Sequence, residues 1–268
     1  MKIADRVVML TGAGGGIGGA IARELARRGA ALVLVTRKAD DAADLERVLS
    51  NAGTRLCRLS GDIAQSQVPG HLVADALRRF ERIDILINCA GVQNFGLFAD
   101  EAEPDTVALM QTNAIAPMNL TRAVLPSMLQ RNQGWIVNVG SIFGSIGFPC
   151  FTSYSASKFA LRGFSEALRR ELSGSGVGVT YVAPRFTRTA FNRGAVTRMA
   201  NALGMNQDEP EAVAEQVVAA IERGRRNAYL GWPEKLFVRI NSLIPGLVDS
   251  PLTQQMAQMR PFAIDRAR

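Results

Sequence analysis

The feature that most constrains this chain is Thr11-Gly12-Ala13-Gly14-Gly15-Gly16-Ile17-Gly18, set directly behind the apolar run Val7-Val8-Met9-Leu10. After the glycines, Ile17, Ala20, Ile21 and Leu25 recur at helical intervals, Arg23, Arg27 and Arg28 fall off that stripe, and Gly29 is a stop signal. A second apolar run, Ala31 to Val35, follows at once. The order is strand, tight turn, helix, strand, which is a βαβ unit and commits the chain to a parallel sheet. Glycines at the turn let the backbone approach a pyrophosphate, whose charge is stabilised by free amides at the helix start. Gly12, Gly14, Gly15, Gly16, Ile17 and Gly18 are therefore the expected phosphate cradle; a glycine-rich turn that holds no ligand is the alternative.

The residues after the second strand sort one dinucleotide from the other. A carboxylate there would bond the ribose hydroxyls and repel a phosphate. The chain has Thr36, Arg37 and Lys38 instead, and a guanidinium pairs with phosphate through two hydrogen bonds. Arg37 and Lys38 thus point to NADP(H) over NAD(H). The open alternative has both as solvated surface charges, with Asp40 or Asp41 turned back to the ribose.

Tyr154 and Lys158 stand four residues apart in Tyr154-Ser155-Ala156-Ser157-Lys158, so on a helix they share a face. An ammonium beside a phenol favours the phenolate. Bringing a phenol from ~10 to roughly 7 takes about 4 kcal/mol, which a cation in a partly dry site largely supplies.

With these residues assembled, the chain resembles the short-chain dehydrogenase/reductase family in its compact single-domain form, over roughly residues 5 to 231. Thr11-Gly12, Gly16 and Gly18 match its cofactor turn. Asp62 in Gly61-Asp62-Ile63 matches the acid that contacts the adenine amino group, with Ile63 beside it. Asn88-Cys89-Ala90-Gly91, after the strand Ile83–Ile87, resembles the family's Asn-Asn-Ala-Gly, with Cys89 in place of the second asparagine. Asn113, on a helix that begins near Asp105, matches the residue that anchors a water in the proton relay. Ser141 ends the strand Trp135–Val139 and matches the serine that orients the substrate oxygen. After the strand Val177–Val182 the family shows Pro-Gly and then a threonine. Pro184-Arg185-Phe186-Thr187-Arg188-Thr189 keeps the proline and threonine but has Arg185 where the glycine stands. A cation there is expected either to meet an acidic substrate or to point to solvent.

The resemblance implies an α/β fold, a Rossmann-type doubly wound parallel sheet in three α/β/α layers, and a single catalytic domain over 1–231. It also implies a mechanism. Tyr154 exchanges the proton, Ser141 orients the oxygen, Lys158 holds the nicotinamide ribose and lowers the Tyr154 pKa, and Asn113 anchors the relay water. Ala90, Gly91, Pro184, Thr187 and Thr189 join the cofactor set. The expected substrate is a small carbonyl or alcohol, and the family habit is a homodimer or homotetramer. A 3-oxoacyl thioester, with an acyl carrier's acidic helix at Arg185, is a narrower alternative. A cofactor-binding redox sensor without turnover is the rival from another class.

The net charge of +7 raises nucleic acid as a partner, but the cations are scattered and no basic motif with interleaved aromatics occurs, so none is expected. Cys57, Cys89 and Cys150 have no metal-ligand spacing; no metal is expected, and Cys150 is a candidate for the pocket wall. The amino terminus lacks a signal-peptide core and no apolar run reaches spanning length, so the expected address is the cytoplasm.

Between Thr189 and Pro210 lies the expected substrate lid, with Phe191, Met199, Leu203 and Met205 as apolar walls or as scaffold packing. Gly144, Ile146, Phe148 and Phe151 are expected to face the same pocket. That lining argues for an apolar body over a sugar. Residues 232–268 extend past the last expected strand, Ala228–Gly231. There Leu236, Phe237, Ile240, Leu243, Ile244, Leu247 and Val248 recur at helical spacing around a break at Pro245-Gly246. Packing on the enzyme or at an interface is the favoured reading of this greasy face; a lid over a long-chain substrate and adhesion to a membrane surface stay open.

Overall fold

The apolar runs become strands whose two faces are both covered. In the computed structural model, which describes residues 1–264, β1 (Val7–Thr11) leads through the glycine turn into α1 (Gly16–Arg27) and on to β2 (Ala31–Thr36). There follow α2 (Ala43–Asn51), β3 (Leu56–Ser60), α3 (Val68–Phe80), β4 (Ile85–Asn88), α4 (Glu103–Met110), α5 (Ala116–Gln130) and β5 (Gly134–Val139). The chain continues with α6 (Thr152–Glu171), β6 (Val177–Ala183), α7 (Ala195–Ala202), α8 (Pro210–Glu222), β7 (Asn227–Tyr229), α9 (Glu234–Leu243) and α10 (Gly246–Ile264).

Among the described residues seven strands pair in parallel in the order β3-β2-β1-β4-β5-β6-β7. Alternate residues serve opposite layers. Val8, Leu10, Leu32, Leu34, Ile85 and Ile87 pack with Ile21 and Leu25 of α1 and Val217 and Ile221 of α8. Val7, Met9, Val33, Val35 and Leu86 pack with Leu72 of α3, Leu120 and Val124 of α5 and Leu168 of α6. The result is a Rossmann-type, doubly wound α/β/α domain. Between β1 and β4 the strand order reverses, and the carboxyl ends of those strands open a crevice at the switch point.

Two local features depart from expectation. The edge strand β3 has no counterpart in the sequence reading. The helix expected to run from near Asp105 through Asn113 is broken into α4, a π-helical turn over Gln111–Ile115, and α5. The carboxyl extension folds as α9 and α10, and its residues 265–268 lie outside the described part of the chain. Val238 of α9 is buried against Ile142, Ile146 and Tyr181, and Met259 and Ala263 of α10 join the cluster that holds Phe95, Phe151 and Tyr154.

Candidate active site

The glycine turn is cut to the backbone around it. Gly12 has φ +73°, and a Cβ on it would sit 2.8 Å from the Ala90 backbone; one on Gly18 would lie 2.1 Å from the Gly12 carbonyl oxygen. Thr11 pins the facing turn, its Oγ1 accepting from the amides of Cys89 (3.1 Å) and Ala90 (3.2 Å). A cavity of about 1100 Å³ starts at this cradle and runs along the crevice. Gly12, Gly14, Gly15, Gly16, Ile17, Gly18, Arg37, Asp62, Ile63, Ala90, Gly91, Pro184, Thr187 and Thr189 all border it, with Ser141, Tyr154 and Lys158. Thr189 Oγ1 is buried without a hydrogen-bond partner, and its side chain stands where a Cβ on Gly16 would fall. An orphaned hydroxyl beside a glycine cradle suits the pyrophosphate and amide oxygens of a nicotinamide dinucleotide.

Three expected site residues do not border the cavity. The exposed Lys38 is held by its backbone: its amide donates to Asp41 Oδ2 (3.0 Å) and its carbonyl accepts from Thr36 Oγ1 (2.7 Å). Of the two cations only Arg37 faces the crevice, and Asp41, which also borders it, has its carboxylate turned to the Lys38 amide. Asn88 is buried in the sheet, donating to Asn138 Oδ1 (2.8 Å), while Asn138 donates to Ser165 Oγ on α6 (2.8 Å). It supports the strand ends that carry the site. Asn113, in the π turn, is fully buried; its Oδ1 accepts from the Val92 amide (2.9 Å), and its Nδ2 donates to the Val92 carbonyl (2.8 Å) and Ser157 Oγ (3.0 Å). Both protons of its amide nitrogen are engaged, and its oxygen keeps one further acceptor position. It clamps the β4 turn to α6, one residue from Lys158, and the π turn is the local distortion that aims it there.

Tyr154 and Lys158 sit one turn apart on α6, both nearly inaccessible. Lys158 Nζ donates to the Val139 carbonyl (3.2 Å) and lies 5.7 Å from the Tyr154 ring centroid. Burial lowers the Lys158 pKa to about 8. Burial raises that of Tyr154 to about 12, with a hydrogen bond to Ser141 pulling the other way. The expectation of a phenol brought near 7 by the ammonium is thus not met. Nζ is drawn toward the Val139 carbonyl, and desolvation of the phenol outweighs what remains. A phenol so placed keeps its proton at neutral pH.

Ser141 opens a short 3-10 turn, Ile142–Gly144, and its Oγ accepts from the Phe143 amide (3.1 Å). Behind it stands Tyr181 of β6, fully buried, whose hydroxyl donates to the Ser141 carbonyl (3.1 Å) and accepts from the Ser141 amide (3.4 Å). A Cβ at Gly140 would strike the Tyr181 ring, and one at Gly144 the Tyr181 hydroxyl and the Lys158 carbonyl, so Gly144 packs there and not in the pocket. The sequence reading missed Tyr181; an aromatic in a buried strand gives no sign of where its hydroxyl bonds.

Around Tyr154 the rings of Phe143, Phe151 and Phe191 lie with centroids 6.2–6.4 Å away, and Phe148 stacks on Phe143 at 4.3 Å. Ile146, Met199, Leu203 and Met205 complete the apolar walls. Cys150 is turned away from the cavity, its Sγ 3.6 Å from the Met256 sulfur of α10. Arg185 neither points to solvent nor stays free for a substrate. Its Nε and Nη2 donate to Asp208 (3.0 and 2.7 Å), and its Nη1 donates to Glu234 (3.1 Å) and the Trp232 carbonyl (3.1 Å).

Comparison with known proteins agrees with this geometry. A family profile described as short chain dehydrogenase matches residues 6–200. Dehydrogenase/reductase SDR family member 7B of Bos taurus is 31% identical over 258 residues, covering 91% of this chain and 79% of that one. The ketoacyl reductase HetN of Nostoc sp. is 32% identical over 268 residues, covering 98% and 88%. Among solved structures, a short-chain dehydrogenase/reductase from Burkholderia phymatum in complex with NAD has TM-score 0.86 at 25% identity, covering 92% and 96%. A metagenomic short-chain oxidoreductase in complex with NADP has TM-score 0.74 at 28% identity, covering 86% and 98%.

Proposed function

The chain belongs to the short-chain dehydrogenase family, an oxidoreductase family acting on CH–OH and C=O groups, and from that premise we propose that it is an NADP(H)-dependent carbonyl reductase for an apolar substrate, or the reverse dehydrogenase. The observation that carries this reading is the pairing of a neutral, buried Tyr154 phenol with Ser141 at the floor of an aromatic cavity that continues into a glycine cradle. When bound, the nicotinamide supplies or accepts the hydride. Ser141 orients the substrate oxygen and Tyr154 gives it a proton, so the charge growing on that oxygen is met by two hydrogen bonds in a dry site. Lys158, with pKa about 8, is largely protonated at neutral pH and offers its ammonium to the developing Tyr154 phenolate and to a ribose hydroxyl. Asn113 and Asn88 hold the turn and strand ends in register. The phenylalanines keep water from the reacting centre.

Arg37 supports the NADP(H) preference, since it borders the crevice while the Asp41 carboxylate is engaged by the Lys38 amide. A 3-oxoacyl chain is the narrower reading, favoured by the aromatic walls and by the ketoacyl reductase among the relatives. Arg185 gives no support to acyl-carrier recognition, because two carboxylates already hold it. The test follows NADPH and NADH oxidation against ketones, aldehydes and 3-oxoacyl thioesters of increasing chain length. The reading requires turnover that is faster with NADPH and rises with apolar length.

A further inference from the structure

The cavity does not end at the phenylalanines. Its wall continues along Phe237 and Ile240 of α9 and Leu247, Val248, Pro251 and Leu252 of α10, and at that end the lining residues are also surface residues: Phe237 is 46% and Leu247 61% exposed. Next to them, six consecutive residues from Ser242 to Leu247 are exposed at the turn between the two helices. Leu243 reaches 81% and Ile244 56%. From Ile240 to Val248 no residue carries a charge. A turn this greasy, joined to the mouth of an apolar cavity, is costly to leave in water.

We propose that the α9–α10 turn docks on an anionic lipid surface, and that the substrate is a long-chain carbonyl lipid entering the cavity from that surface. The substrate clause rests on the reductase reading above. Helical spacing puts Lys235 and Arg239 beside Leu236 and Leu243 on the exposed side of α9, and both cations are exposed. The nearest acid on the inner side, Glu234, is neutralised by Arg185; the exposed Asp249 is the first acid beyond the turn. Two cations flanking an apolar tip, on a chain of net charge +7, are complementary to anionic headgroups above an acyl layer. A second copy of the chain is the poorer occupant, because a two-fold contact would set this cationic turn near its own equivalent. Among the described residues no helix is long and apolar enough to cross a membrane, so the contact is with the surface only. A chain moving from lipid past Leu247 and Phe237 toward Tyr154 has Ile240, Val248 and Leu252 on the wall, with the polar Glu234 and Gln255 among them.

The full chain is sedimented with phosphatidylcholine vesicles, with and without phosphatidylglycerol, alongside Leu243→Asp/Ile244→Asp and Lys235→Gln/Arg239→Gln. None of these four residues borders the cavity. The wild type is expected to bind the anionic vesicles more tightly. The aspartate pair should weaken binding by roughly tenfold or more on either vesicle, and the glutamine pair only on the anionic ones. Reduction of a short water-soluble ketone should be unchanged in both variants, while that of a long-chain ketone presented in vesicles falls with binding. Absence of wild-type vesicle binding, or equal binding by the aspartate pair, overturns the docking. So does a wild-type dimer, seen by light scattering, that the aspartate pair splits without any effect on vesicles. Sedimentation is read without turnover, so failure to reduce any carbonyl would overturn the reductase reading and the substrate clause while the docking result stood on its own.

Discussion

Arg185 and Asp208 form a two-pronged ion pair, Nη2 to Oδ1 at 2.7 Å and Nε to Oδ2 at 3.0 Å, that ties the end of β6 to the far end of the substrate segment. Glu234 adds a third contact from the start of α9. One guanidinium thus joins the strand that positions Pro184, the segment carrying Phe191 and Met199, and the carboxyl-terminal helices. Gly231 belongs to the same arrangement: its φ is +89°, and a Cβ there would lie 2.5 Å from Arg185 Cδ.

Breaking this pair should loosen the pocket's cover more than its chemistry. Arg185→Gln should raise KM for a bulky apolar carbonyl several-fold, leave kcat within about twofold, and lower unfolding free energy by about 1–2 kcal/mol, since the group is partly solvated. Steady-state kinetics with urea unfolding checks all three. A kcat loss with KM unchanged would place Arg185 in the chemistry instead.

Tyr181→Phe removes the hydroxyl that holds both backbone groups of Ser141. The variant should fold, bind NADPH as before and lose roughly fivefold in kcat, the equivalent of about 1 kcal/mol of lost positioning. NADPH fluorescence titration beside kcat separates this from general damage.

The pH profile should carry the Lys158 signature. Its pKa is lowered by burial to about 8, so the ammonium that supports Tyr154 is lost above that pH, and kcat/KM for reduction should fall there. Tyr154, raised to about 12, stays protonated across the same range and adds no limb. Stability moves the other way. Below about 8 the fold bears the cost of a buried ammonium, and the unfolded chain holds more protons between about 8 and the ordinary lysine value, so unfolding free energy from this residue rises with pH across that window. A reduction rate flat to pH 10 would contradict the assignment.

Much of this was legible in the residues. β1, β2, β5 and β6 are apolar runs buried on both faces, and the glycine turn between the first two leaves few alternatives. β3 is harder: Leu56-Cys57-Arg58-Leu59-Ser60 sits at the sheet edge, only Leu59 is fully buried, and Arg58 interrupts the pattern. Asn113 and Tyr154 were readable as residues but not as environments. A π turn leaves no mark in hydrophobic period, and whether desolvation or a cation governs a phenol is decided by where Nζ points. Arg185 was visible as an intruder in a motif, but its partners lie 23 and 49 residues away, and sequence spacing says nothing about such a meeting.

On the proposed reading Arg37 sets the cofactor preference. Arg37→Glu should raise KM for NADPH by more than roughly tenfold and bring NADH to parity or better, through loss of a paired phosphate contact and gain of a ribose acceptor. An unchanged NADPH/NADH ratio would remove Arg37 from the site.

The most direct measurement compares wild type and Tyr154→Phe, each titrated with NADPH by fluorescence and then assayed on the best carbonyl from the chain-length panel. The account predicts equal NADPH affinity, within about twofold, and a loss of turnover by at least ~10²-fold. Turnover at the wild-type rate in the phenylalanine variant would contradict the assignment of Tyr154 as the proton donor.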